Sequence, residues 1–375
     1  MNLTAVVVLV VVTALVFDFT NGFHDTANAM ATSIATGALR PKAAVAVAGV
    51  LNLAGAFLSV QVAKTISGGL VNETKITPVV VFAGLVGAIL WNLLTWLLGV
   101  PSSSSHALFG GLLGATLVTG GAGAVNFDSV LGKVILPAVI SPLLAGLLAL
   151  AATLLAYRIT TRAAPGTVKR GFKLGQVVSA STVALAHGAN DAQKTMGVIT
   201  LTLITAGALA PGSAPPFWVI IAAGVAIALG TYMGGWRIIQ TLGRRISDIQ
   251  TTQGFTAETT SAAIILTSTH LGIPLSTTQV CTGAIYGAGA GRGSTTVRWG
   301  LAGRMAVAWA ITLPAAATVG AAAAWLAAHG TAGLVVVAAS AVALGAGIYA
   351  ASRRNRVTAL NINDVPLPPT VRLAA

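Results

Sequence analysis

GVPSSSSHALFGGLLGA, residues 99–115, and GIPLSTTQVCTGAIYGA, residues 272–288, align without a gap. The alignment pairs Gly99 with Gly272, Pro101 with Pro274, Ser103 with Ser276, Ser104 with Thr277 and Ser105 with Thr278, then Gly110 with Gly283 and Gly114 with Gly287. A second pair stands upstream of each member: NGFHDTANAM, residues 21–30, and HGANDAQKTM, residues 187–196. Here Gly22 matches Gly188, Asp25 matches Asp191 and Met30 matches Met196. The two pairs keep the same order at offsets of 173 and 166 positions, so the chain reads as one unit duplicated.

The composition states the solvent of that unit. The chain has 375 residues, 55% hydrophobic and 8% charged, with 43 glycines that follow no period of three. Apolar runs of membrane length recur near residues 1–20, 43–63, 77–99, 130–157, 174–188, 216–236, 254–271, 301–328 and 331–351. Shorter Gly-rich or Ser-rich pieces lie at 22–38, 103–119, 191–209 and 276–290, and these are expected to be half-helices or re-entrant hairpins. The expected fold is an all-α polytopic membrane protein of about 10–12 membrane segments, built from two copies of that unit. Its parts are a first transporter repeat (residues 1–157), a basic cytoplasmic linker (158–173), a second repeat (174–351) and a C-terminal tail (352–375).

A formal net charge of +13 would suggest nucleic acid in a soluble chain. The cations instead cluster between apolar runs, as in YRITTRAAPGTVKRGFK and WRIIQTLGRR, which is the pattern of positive-inside orientation without aromatic interleaving. A nucleic-acid partner is therefore not expected; the lipid bilayer is. The single cysteine, Cys281, rules out an internal disulfide framework and a cysteine-based zinc cage. No H-x-x-x-H or H-E-x-x-H spacing marks a resident metal site. No cofactor is expected, and no enzyme: neither Asp25 nor Asp191 lies in the GxGD setting of an intramembrane hydrolase. A passive anion channel would call for a basic ring where these acidic residues stand.

Paired Gly-interrupted segments in corresponding positions of two halves are the sequence mark of a secondary transporter's binding site. Proline followed by hydroxyl residues is a helix start, whose free N–H groups, positive dipole end and hydroxyls suit a tetrahedral oxyanion. Ser103, Ser104 and Ser105 with Ser276, Thr277 and Thr278 are the candidates for that role, helped by the amides of Asn28 and Asn190. Capping and close helix packing are the structural alternative for each hydroxyl. An aspartate within an apolar segment costs about 2.5 to 3.5 kcal/mol on insertion scales, so Asp25 and Asp191 call for a function. Carboxylates beside an anion site make sense when a cation or proton enters with the anion, the logic of symport. His24, next to Asp25, adds a titratable group, and Lys194 either holds the anion or pairs with Asp191.

GFHDTANAMATSIATGALRPKAAV, AHGANDAQKTMG, SSSSHALFGGLLGA and GIPLSTTQVCTGAIYGAG resemble the inorganic phosphate transporter family of secondary carriers, over nearly the whole chain. The resemblance implies an inverted-repeat helical fold, often a homodimer, in a plasma membrane, with inorganic phosphate and its coupling cation between the halves. It adds Glu258, in QGFTAETTSA, as a family acidic position and a coupling-ion candidate beside Asp25, Asp191 and His24. Sodium-coupled members resemble GxNDxANA in both halves, whereas here His24 replaces the first Asn and Gln193-Lys194 replaces the second AN. That version is similar to bacterial low-affinity carriers, which implies proton rather than sodium coupling and phosphate taken as a divalent-metal complex. The alternatives on the same scaffold are a sulfate carrier, the nearest, and a sodium-coupled phosphate symporter.

Overall fold

The computed structural model describes residues 2–363; residues 364–375 of the expected tail lie outside the described residues. Helices account for the chain in the order α1 (Leu3–Ala35), α2 (Pro41–Gly55), α3 (Gln61–Gly69), α4 (Pro78–Leu98), α5 (Ser104–Gly120) and α6 (Phe127–Thr160). The same order follows with α7 (Pro165–Thr205), α8 (Phe217–Met233), α9 (Trp236–Arg245), α10 (Thr251–His270), α11 (Thr277–Arg292) and α12 (Trp299–Ala327), and then α13 (Gly330–Ser352). Proline at the first turn starts α2, α4 and α7, where its missing N–H has no partner to lose. Gly99 ends α4 at φ +66° and Gly272 follows α10 at φ +69°, the left-handed conformation that glycine adopts without strain.

Among the described residues, five helices are long and apolar enough to cross a membrane: α1, α4, α6, α12 and α13, or six if α8 and α9, bent by 60°, are one span. The other segments anticipated from sequence are helical too. They are short, as in α2, α5 and α11, or carry the polar motifs, as in α7 and α10. Leu143, Leu147, Leu154 and Val342 on α6 and α13 remain exposed, as a lipid-facing surface requires.

Three expectations change. The pieces 22–38 and 191–209 are not half-helices, because α1 and α7 run unbroken through both motifs. Their glycines are crossing points: a Cβ at Gly22 would strike the Ile227 carbonyl of α8, and one at Gly188 would strike the Asn52 carbonyl of α2. Thr20 and Thr26 return their hydroxyl protons to the carbonyls of Phe17 and Gly22, so these two hydroxyls are satisfied within the helix. The segment 43–63 divides into α2 and α3. Of the basic stretch 158–173, residues from Pro165 onward form the first turns of α7.

The packing exchanges helices between the two halves. Gly22 of α1 and Gly230 of α8 interlock, as do Gly188 of α7 and Gly55 of α2. Gly110 and Gly114 of α5 press on the Leu313 and Ala317 backbone in α12, and Gly283 and Gly287 of α11 press on Pro142 and Gly146 in α6. The interior forms two apolar cores. Val10 to Phe17 of α1 belong to the first and Ala27 to Ile34 to the second; in α7 the order is opposite, with Ala180 to Ala186 in the second and Met196 to Leu201 in the first. The polar motifs occupy the belt between them.

These close approaches leave no room for side chains. Gly114→Val and Gly287→Val are each expected to lower stability in detergent by about 1 to 3 kcal/mol or more, the range for overpacking a tight interior. Gly166→Ala and Gly300→Ala, where nothing lies within 4 Å of an added Cβ, are expected to be neutral or slightly stabilising. Thermal melting of the purified variants checks the contrast.

Candidate functional site

The helix starts that interrupt the membrane interior come from the same local chemistry twice. After Gly99 the chain is extended through Pro101 to Ser103, whose Oγ accepts the His106 amide at 3.1 Å and so caps α5. After Gly272 it is extended to Ser276, whose Oγ accepts the Gln279 amide at 3.3 Å and caps α11. Ser103 and Ser276 thus spend their side chains on helix ends. The residues that follow them turn toward α1 and α7.

Ser104 Oγ donates to Asp25 Oδ1 at 3.1 Å, and Thr278 Oγ1 faces Asp25 Oδ2 at 3.3 Å. Thr277 Oγ1 lies 3.4 Å from Asp25 Oδ2 and 3.2 Å from Asp191 Oδ2. Asn28 Nδ2 donates to both threonine hydroxyls, at 3.3 Å and 3.0 Å. A threonine hydroxyl has one proton, so Thr277 cannot satisfy two carboxylates at once. His24 Nδ1 lies 2.6 Å from Asp25 Oδ1, and its Nε2 lies 3.2 Å from Thr95 Oγ1.

On the α7 side, Lys194 Nζ donates to Asp191 Oδ1 at 2.5 Å, to Ser105 Oγ at 2.6 Å and to the Leu275 carbonyl at 2.8 Å. All three protons of the ammonium are used, which is how a lysine is held 1% exposed. His187, one helical turn before Asp191, places Nε2 3.3 Å from Asp191 Oδ2 while Nδ1 lies 3.0 Å from Asn52 Oδ1. Asn21 Nδ2 approaches the same Asp191 oxygen at 3.4 Å.

The structure therefore brings together Asp25, Asp191, His24, Asn28, Lys194, Ser104, Ser105, Thr277 and Thr278. Asn190 faces away, donating to Thr269 Oγ1 at 2.9 Å. Glu258 sits in a cluster of its own, accepting from Thr32 and Gln176 at Oε1 and from Ser179 at Oε2, 2.6 Å away. Sequence reasoning left His187 and Asn21 unassigned. The i, i+4 spacing of His187 and Asp191 was the available signal, since it puts both on one helix face.

Asp25, His187 and Asp191 each offer a ligand atom within 4.8 Å of the others, all buried, an arrangement that a metal ion could fill although no single stretch has a metal-binding spacing. At that separation two carboxylates repel by about 3 to 4 kcal/mol at an effective dielectric of 20. With Lys194 already paired to Asp191, one further positive charge, a proton or a cation, balances the group.

The profile of a family described as "Phosphate transporter family" matches residues 21–320. A protein of Mycobacterium leprae (strain TN) named "Probable low-affinity inorganic phosphate transporter" is 54% identical over 361 residues, covering 95% of this chain and 87% of its own. A protein of the same name from Bacillus subtilis (strain 168) is 43% identical over 316 residues, covering 84% of this chain and 95% of its own. A solved structure described as "The sodium-dependent phosphate transporter" superposes with a TM-score of 0.77 at 24% identity, over 86% of this chain and 98% of that one, a likeness of fold.

The Lys194–Asp191 pair gives a stability test independent of any ligand. Removing one partner of a buried pair costs about 3 to 5 kcal/mol, because the other charge is stranded. Lys194→Met is expected to destabilise by about that amount, and Asp191→Asn with Lys194→Met to recover part of it. Thermal melting of both variants decides; a double variant less stable than the single one would contradict the pairing.

Proposed function

The chain belongs to the phosphate transporter family, and we propose that it imports inorganic phosphate across the plasma membrane as a proton-coupled secondary carrier. One observation carries the coupling: the Thr277 hydroxyl stands between Asp25 and Asp191, with a single proton for two carboxylates. A phosphate dianion cannot join that pair until some negative charge is neutralised. A proton taken by the carboxylate pair removes the repulsion and frees the hydroxyls of Ser104, Thr277 and Thr278, with the Asn28 amide, to donate to phosphate oxygens. Lys194 and Ser105 supply the positive charge and a further donor. His24, bonded to Asp25 on one side and to Thr95 on the other, is placed to carry the proton to or from the pair.

In this proposal the two halves are inverted repeats, a reading supported by the opposite run of α1 and α7 through the two cores. Movement of one exchanged set of helices against the other then opens the polar belt to each face in turn. The homodimer implied by the resemblance belongs to the same proposal. Glu258 serves as an outlying acidic station between the belt and the basic face.

A second reading has its own observation. The Asp25, His187 and Asp191 ligand atoms lie within 4.8 Å of one another, which suits phosphate accompanied by a divalent metal. The metal would then supply the positive charge that the proton supplies in the first reading.

Uptake of labelled phosphate into proteoliposomes tests both. An inwardly directed proton gradient is expected to drive accumulation, and Asp25→Asn and Asp191→Asn are each expected to reduce it by at least about tenfold, a loss of about 1.4 kcal/mol or more in coupling. Accumulation under a sodium gradient alone would reassign the coupling ion. Dependence on added magnesium would favour the metal-phosphate reading, and equal competition by sulfate would move the substrate.

A further inference from the structure

We propose that the hollow between α3, the start of α6 and the α10–α11 turn is an outer capture site for the phosphate oxyanion. It measures about 350 Å³ and is lined by Gln61, Lys64, Thr65, Lys133, His270 and Gly272 among others. None of the lining residues is acidic, and the side chains of Lys64, Lys133 and His270 form no hydrogen bond or ion pair with any described residue. Two free ammonium groups and an imidazole facing one hollow make a field that concentrates anions. The inference rests on the phosphate-import reading above.

The hollow faces away from the basic side of the protein. α6 crosses from Phe127 to Thr160, and Thr160 shares a cavity with Lys169 and Arg244 on the cytoplasmic side. Lys133, near the other end of α6, is therefore on the outer side. The floor of the hollow adjoins the central site. Thr65 Oγ1 donates to the Gly272 carbonyl at 2.9 Å, and the turn that follows carries the Leu275 carbonyl bound by Lys194. α3 is fixed to α7 by the Val62 amide, which donates to Gln193 Oε1 at 2.8 Å, next to Lys194.

The corresponding place in the other half shows that openness here is particular. There Thr241 Oγ1 donates to the Gly99 carbonyl at 2.8 Å, as Thr65 does to Gly272. That counterpart is covered by the chain's own C-terminal segment. The Arg237 guanidinium donates to the Ser352 and Asn355 carbonyls, Gln240 to the Ile362 carbonyl and Arg244 to Asn363. The outer hollow keeps its cations free, while the inner counterpart spends them on a strap.

Two measurements test the site. In phosphatidylcholine proteoliposomes at low salt, K64Q/K133Q is expected to raise the KM for phosphate uptake by at least about threefold with Vmax unchanged. K64R/K133R is expected to keep the original KM, and the difference is expected to fade at 0.5 M salt, where charges are screened beyond about 4 Å. An unchanged KM, or a loss of Vmax that the arginine pair does not restore, overturns the proposal. A KM effect that appears only when phosphatidylglycerol is added assigns the hollow to a lipid headgroup and overturns it too. The second measurement needs no transport: inorganic phosphate is expected to slow labelling of Q61C by a membrane-impermeant thiol reagent several-fold, and not in Q61C/K64Q/K133Q. Labelling indifferent to phosphate overturns the capture site whatever uptake shows. Protection of Q61C in a protein that takes up no phosphate overturns the transport reading alone.

Discussion

The constraint on which the molecule turns is one threonine hydroxyl shared between two buried carboxylates. Asp25 and Asp191 present carboxylate oxygens to the same threonine hydroxyl, both buried between two apolar cores. Like charges so placed repel by several kcal/mol. Lys194 answers one of them, with all of its donors engaged, and His24 and His187 stand at the flanks. In the import proposal, the charge that remains is balanced by a proton or a cation that enters with phosphate.

The scaffold exists to hold that imbalance in place. Polar residues are concentrated in the middle of α1 and α7, and each half of those helices is anchored in a different apolar core. Glycines let the helices cross at backbone contact, so the carboxylates are fixed by main chain rather than by flexible side-chain packing. The exchange of helices between halves joins the two cores through the belt.

The paired motifs were legible because they are written in residue identity: Pro101 and Pro274, Gly114 and Gly287, Asp25 and Asp191 stand in register. The helix starts were legible because proline followed by hydroxyl residues has few other uses in an apolar setting. Membrane embedding followed from the apolar runs. The continuity of α1 and α7 was hidden, since a glycine that breaks a helix and a glycine that admits a neighbouring backbone look alike in one dimension. Ser103 and Ser104 are adjacent and chemically identical, yet one caps α5 and the other meets Asp25; only the direction of the helix axis separates them. His187 was passed over for a related reason. Its partners, Asn52 and the carboxylate cluster, come from a distant helix and from the packing of α1 on α7.

The central claim is that phosphate and a positive charge occupy the belt together. Phosphate binding to the purified protein in weakly buffered detergent solution, followed with a pH-indicator dye, measures this directly. The account predicts net proton uptake on binding in metal-free solution, replaced in part by metal uptake when magnesium is present. Phosphate bound with neither proton nor metal would contradict it.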